Sequence, residues 1–173
     1  MMQIRDALDH DAAGIAEIYN HAVLHTTAIW NEATVDAANR IDWMAARRAA
    51  GYPVLVAQAE DGGVTGYASY GAWRAFDGYR LTVEHSVYVG VAYRGLGLAH
   101  ALMEALITRA RAQGLHVMIA GIEAENTASL ALHRKLGFSE GAVMPQVGQK
   151  FGRWLDLHFM SLQLDQCETP AAG

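Results

Sequence analysis

A carboxylate, a run of β-branched residues and a glycine turn follow one another between Thr82 and His100. Glu84 is the one carboxylate in Thr82–Val89 (TVEHSVYV), a stretch rich in β-branched and aromatic residues. A charge among Val83, Val87 and Val89 must face a wet pocket or find a partner, because burying it bare is costly. In a wet pocket a glutamate is a candidate general base; on an ordinary alternating strand it is a surface group. His85 comes next, and alternation sends it to the opposite face unless a bulge re-aims it. The turn Arg94-Gly95-Leu96-Gly97-Leu98-Ala99 then leads into a helical stripe of Leu98, Leu102, Leu106 and Ala110. Glycines at a strand-to-helix junction let the backbone approach a ligand, and the first helical turn offers unpaired N–H groups and the positive end of the dipole. That combination suits a phosphate, although a tight structural turn would use the same residues. A dinucleotide site of the G-x-G-x-x-G kind needs a third glycine, and His100 stands in its place.

Other reactive residues point less sharply. His21 and His25 are spaced i, i+4 but have no third ligand motif in reach, so no metal is expected. The single cysteine, Cys167, excludes an internal disulfide and fits a reducing cytoplasm. A formal net charge of −5 without a basic block argues against a nucleic-acid partner. No apolar run approaches the roughly 18 residues of a membrane span, and MMQIRDALDH lacks the apolar core of a secretory signal. A soluble, cytoplasmic protein with no membrane partner is expected.

The elements that must position these groups follow in order. With 173 residues, 52% of them hydrophobic, the chain suits one domain over 1–165, followed by a tail over 166–173. A short strand at Gln3–Ala7 precedes a helix capped by Asp9 or Asp11, with its stripe at Ala12, Ile15, Ala16, Tyr19, Ala22 and Val23. A second helix, about Val35–Ala50, ends at Gly51. Val54–Ala59 and Val64–Tyr70 form a hairpin around Asp61-Gly62-Gly63. A polar-aromatic loop, Gly71–Leu81, leads to the strand–turn–helix already described. His116–Ile122 is almost wholly apolar, so it should be covered on both faces. A helix at Ala124–Leu136 and strands at Ser139–Val147 and Trp154–Leu164 complete the chain. The order β-α-α-β-β-β-α-β-α-β-β predicts an α/β fold: a mixed central sheet of seven strands flanked by four helices.

This order and the Arg94–Ala99 turn resemble the GNAT superfamily of N-acetyltransferases, whose turn reads [QR]-x-x-G-x-[GA]; Arg94, Gly97 and Ala99 fill it. A second mark is Glu125-Asn126-Thr127-Ala128-Ser129, which starts a helix ending in Leu136-Gly137-Phe138. The resemblance runs from Gln3 to Leu164. Within it, Ala28-Ile29-Trp30, Gly51-Tyr52-Pro53, Gly66-Tyr67-Ala68, Trp73-Arg74, Thr82–Val89 and Lys150–Asp156 resemble the phosphinothricin/methionine sulfoximine acetyltransferase branch. That branch acetylates the α-amino group of small L-amino acids and their analogues from acetyl-CoA, so the resemblance implies this reaction, by direct transfer in a ternary complex, and a homodimer. Other small amines as acceptor, or a non-catalytic acyl-CoA-binding module, are the competing readings.

The resemblance also distributes roles. Arg94, Gly95, Leu96, Gly97, Leu98, Ala99 and His100 would cradle the pyrophosphate. Val87, Tyr88 and Val89 would pair with the pantetheine arm as an added strand, which requires the fourth and fifth strands to part, and Asn126 would hydrogen-bond the arm. Glu84 would accept the amine proton through a water. His133 stands where many members carry a tyrosine acid, with a structural or cofactor-flanking histidine as the competing role. Arg74 would bind the acceptor's carboxylate or phosphinate. Ala75, Phe76 and Trp30 would wall the pocket, with Glu84, His85 and Ser86 on its strand side. Lys150 and Trp154 approach the site or a dimer partner, with core or surface roles equally open.

Overall fold

The computed structural model describes residues 2–170. Seven strands form one sheet: β1 (Gln3–Asp6), β2 (Val54–Gln58), β3 (Val64–Ala72), β4 (Thr82–Val89), β5 (Val117–Glu123), β6 (Ser139–Lys150) and β7 (Arg153–Gln163). Four α-helices flank them: α1 (Ala12–His25), α2 (Ala37–Ala49), α3 (Leu98–Ala112) and α4 (Thr127–Lys135). The strand order is β1-β2-β3-β4-β5-β7-β6, and β4–β5 is the parallel pair. The expected mixed sheet and element order are therefore present.

Helical and strand periods together decide the layers. In α3, Leu98, Leu102, Met103, Leu106 and Ala110 are buried against Ala68, Val83, Met118 and Met160. Phe138, just after α4, joins the same core. On the other face, Ile15 and Ile18 of α1 and Met44 of α2 pack on Val54, Val56 and Tyr67. In α2, Asp36 accepts a hydrogen bond from the Asn39 N–H at 2.8 Å, a side-chain cap on the first turn.

Three local readings need correction. Neither Asp9 nor Asp11 caps α1 with its side chain. The buried Asp11 carboxylate instead takes hydrogen bonds from Arg5 at 2.7 and 2.9 Å and from the Leu8 N–H at 2.8 Å, and so ties β1 to the helix start. Strand β3 continues to Ala72 and β6 to Lys150, because each keeps a partner strand beyond its apolar stretch. Finally, β5 is not fully covered. Met118, Ala120 and Ile122 are buried under α3 and α4, but on the other side Val117 and Ile119 are half-buried and Gly121 is exposed.

The feature that positions the site is a parting of strands. β4 pairs with β5 only where Thr82, Val83 and Glu84 face Val117, Met118 and Ile119. From His85 onward β4 is bonded to β3 alone, while Ala120–Glu123 is bonded to β7 alone.

Candidate active site

Where β4 and β5 diverge, a cleft of about 820 Å³ opens. One wall is Val87, Tyr88, Val89, Arg94 and Ala99; the other is Asn126, Ser129 and Leu132 of the α4 region. Thr26, Thr27 and Ala28 close one side from the loop after α1. The backbone edge of Val87–Val89 that β5 leaves unpaired borders this space. At its outer end Gly95 and Gly97 adopt φ of +76° and +78°, a left-handed conformation that side chains disfavour. Gly97 is the N-cap of α3 and supplies no side-chain bond. The N–H groups of Leu98, Ala99 and His100 are left as first-turn donors at the positive end of the dipole. Arg94 adds a cation, its Nε donating to the Val89 carbonyl at 3.4 Å. An extended chain ending in a pyrophosphate fits this arrangement: strand-edge donors and acceptors inside, helix N–H groups and a guanidinium at the mouth. Asn126 caps α4 by accepting from the Ser129 N–H at 3.1 Å and lines the cleft.

Glu84 lies on the α1/α2 side of the sheet, over the uncovered part of β5. Two glycines shape its surroundings. Gly121 makes room for the carboxylate: a Cβ there would come within 2.9 Å of Glu84 Oε1. Gly71, directly opposite Glu84 across β3 and β4, makes room for Arg47, whose Nη1 lies 1.4 Å from where a Gly71 Cβ would stand. Arg47 donates to the Tyr70 carbonyl at 3.2 Å, and no carboxylate pairs with it among the described residues. The Glu84 tip is open to solvent, yet the crowding around it raises the carboxyl pKa through lost hydration; Arg74 pulls it the other way. Arg74 itself is exposed, with its guanidinium 4.8 Å from the Trp73 ring centre. Ser86 shares the Glu84 face and is half-buried.

Trp30 is held in place by two contacts of its own and by the pinning of its loop. Its indole Nε1–H donates to the Thr27 carbonyl at 2.9 Å. Its ring lies against Gly148, where a Cβ would be 2.2 Å from Cζ3. Lys150, 3% exposed, donates to the carbonyls of Thr26, at 2.8 Å, and of Ile29, pinning the loop that carries the tryptophan. Burial lowers the Lys150 pKa, with Glu32 opposing. At the β5 end of the same loop, Glu123 accepts from Thr27 Oγ1 at 3.1 Å.

The structure does not bring every expected residue together. His85 points to the α3/α4 face, away from Glu84, and its Nε2 lies 2.9 Å from His133 Nε2. His133 is 1% exposed, and its Nδ1 is 2.7 Å from the Ser129 carbonyl. Both His133 nitrogens are thus engaged within the fold. Burial lowers its pKa, opposed by the Ser129 carbonyl. Phe76 is 76% exposed and Ala75 is exposed too, in the loop after β3 that runs into a 3₁₀ turn at Asp77–Tyr79. Arg47 and Glu123 had no assigned role in the sequence, and Lys150, whose signal was the Lys150–Asp156 similarity, had only an open set of them.

The sequence profile of the Acetyltransferase (GNAT) family matches residues 15–138. The chain belongs to the GNAT acetyltransferase family. Relatives of this GNAT enzyme include the Salmonella typhimurium "L-methionine sulfoximine/L-methionine sulfone acetyltransferase", 61% identical over 171 residues and 99% of each chain. The Escherichia coli "L-amino acid N-acyltransferase MnaT" is 63% identical over 171 residues, again 99% of each. A Salmonella typhimurium acetyltransferase structure, yncA with its cofactor acetyl-CoA, superposes with a TM-score of 0.96 at 61% identity, covering 99% of each chain. This GNAT enzyme is an N-acetyltransferase that takes its acetyl group from acetyl-CoA. Among the described residues no group of three or more His, Cys, Asp or Glu is arranged to hold a metal, and no helix is long and apolar enough to cross a membrane.

Proposed function

We propose that this enzyme acetylates the α-amino group of small L-amino acids and analogues such as methionine sulfoximine, methionine sulfone and phosphinothricin, by direct transfer in a ternary complex. The observation that carries the reading is the place of Glu84, at the last pairing of β4 with β5, on the open face, with the positive charge of Arg74 acting on its carboxylate. Acetyl-CoA supplies the activated acetyl group. Val87, Tyr88 and Val89 offer strand-edge hydrogen bonds to an extended arm, Asn126 adds its amide, and the 94–100 turn receives the pyrophosphate. Backbone N–H groups around Val87 are the candidate donors to a developing oxyanion.

An α-ammonium must lose a proton before it attacks. Glu84, with a raised pKa, accepts it through a water. Arg74 binds the acceptor carboxylate, and Arg47, lacking a carboxylate of its own, adds positive potential on the other side of Glu84 for a second oxygen-bearing group. Trp30 lies near the acceptor at the end of the pinned loop. Cys167 is exposed in the tail, so no acyl-cysteine intermediate is involved. Two copies of the chain assemble, which accounts for Phe76, Val143, Met144, Val147, Phe151 and Trp154 being exposed, from 43% to 76%. The setting is cytoplasmic and the physiological task is detoxification of amino-acid analogues.

The test is free-thiol release from acetyl-CoA with a panel of L-amino acids, the three analogues, a polyamine and an aminoglycoside. Turnover with the analogues and not with the polycations is expected. No thiol release with any acceptor would overturn the enzymic reading, and turnover only with polycations would overturn the acceptor class. Light scattering at micromolar protein checks the dimer.

A further inference from the structure

His85 is the first residue of β4 beyond its last pairing with β5, and its side chain reaches α4 rather than solvent or substrate. The two rings lie 4.9 Å apart, nearly parallel at 15°, and both stand edge-on to Phe138. The protons can be assigned from the partners. His133 Nδ1 faces a carbonyl at 2.7 Å, so it carries hydrogen and donates. In a neutral ring His133 Nε2 is then an acceptor, and the hydrogen between the two Nε2 atoms belongs to His85. His85 Nδ1 is a buried acceptor without a protein partner. Burial and the neighbouring His133 push the His85 pKa down to about 3, so the pair stays uncharged at neutral pH.

We infer that the His85–His133 hydrogen bond is a strut that sets the width of the acetyl-CoA cleft, making both histidines positioning residues. One wall of the cleft is β4, the other is α4, and behind the cleft lining this bond links the two next to the point where the backbone ladder between β4 and β5 stops. The same His133 ring, through Nδ1, holds the carbonyl of Ser129, whose residue lines the cleft beside Asn126. Losing the strut lets α4 drift relative to Val87–Val89, which weakens cofactor binding without touching Glu84. The inference rests on acetyl-CoA occupying that cleft.

The experiment measures the Kd of CoA by calorimetry, and KM and kcat for acetyl-CoA, in His85→Phe, His133→Leu, His133→Gln and the Phe/Leu double variant. Phe keeps the ring packing of His85 but donates nothing; Gln offers an oxygen to receive the His85 hydrogen. His85→Phe and His133→Leu should each raise Kd and KM for acetyl-CoA about three- to tenfold, as loss of one net hydrogen bond implies. At saturating acetyl-CoA, kcat and the acceptor KM should hold. His133→Gln should recover most of the affinity, and the double variant should be no weaker than either single one, because both remove the same bond. Three results would each overturn the strut: unchanged CoA Kd, additive losses, or a kcat that collapses in both His133 variants while Kd holds. The last would make His133 a participant in chemistry. CoA binding without any acetyl transfer by the wild-type enzyme would overturn the proposed function and leave the strut standing.

Discussion

Gly121→Ala separates folding from chemistry at a single atom. The added carbon would stand 2.9 Å from Glu84 Oε1, 3.6 Å from Leu157 Cδ1 and 3.7 Å from Phe159 Cε1. Only the carboxylate is too close, and it is the free end of a flexible side chain. Restoring an ordinary contact of about 3.5 Å takes a shift of roughly 0.6 Å or a change of rotamer. Misplacing a reacting group by about 1 Å costs around a hundredfold, so kcat/KM should fall by about ten- to a hundredfold. The fold should not suffer, because alanine in a strand interior is better than glycine by roughly 0.5–1 kcal/mol. The assay pairs thiol-release kinetics with thermal unfolding of the same samples. Adding Glu84→Gln to Gly121→Ala should cost no more than Glu84→Gln alone, since both act on one carboxylate. Wild-type kcat/KM in Gly121→Ala would show that the position of Glu84 does not govern the rate, and the base assignment would fall with it.

The acid limb of kcat/KM should lie above the ordinary glutamate range, because burial raises the Glu84 pKa and activity needs its deprotonated form. Arg74→Met removes the opposing cation, so the limb should move to still higher pH in a pH–rate profile; a shift to lower pH or none contradicts the assignment. Lys150→Met strands the Thr26 and Ile29 carbonyls and should cost about 1–3 kcal/mol in urea unfolding. Gly148→Ala puts a Cβ 2.2 Å from a rigid indole, so Trp30 must leave its seat. The acceptor KM should rise and indole emission should change, with a stability loss of about 1–3 kcal/mol; unaltered emission would mean that the backbone had yielded instead.

Local chemistry was the legible part of this chain. The bounds of β4 follow from β-branched and aromatic residues, and the Arg94–Ala99 turn follows from glycines before an apolar stripe. Strand alternation also assigns His85 to the face away from Glu84. What could not be read were contacts between residues far apart. His85 meets a partner 48 positions away, and Lys150 closes on the Ile29 carbonyl across 121. Gly71, Gly121 and Gly148 look alike in the sequence. One admits a guanidinium, one a carboxylate and one an indole, and only the neighbouring side chain reveals which. β5 misled for a related reason: an apolar run shows what a strand tolerates, and here its outer face borders the open floor around Glu84.

With acetyl-CoA seated as proposed, the parting of β4 from β5 would tie the enzyme's persistence to its co-substrate. A ligand seated on the free Val87–Val89 edge acts as part of the fold, and binding to the native chain alone shifts unfolding by RT ln(1 + [L]/Kd), about 2.7 kcal/mol at a hundred times Kd. Opening of the β4 edge and α4 would then be suppressed when acetyl-CoA is plentiful and frequent when it is scarce. Carbon-starved cells would expose this region to proteases more often, lowering the amount of enzyme when acetyl groups are least available to spend.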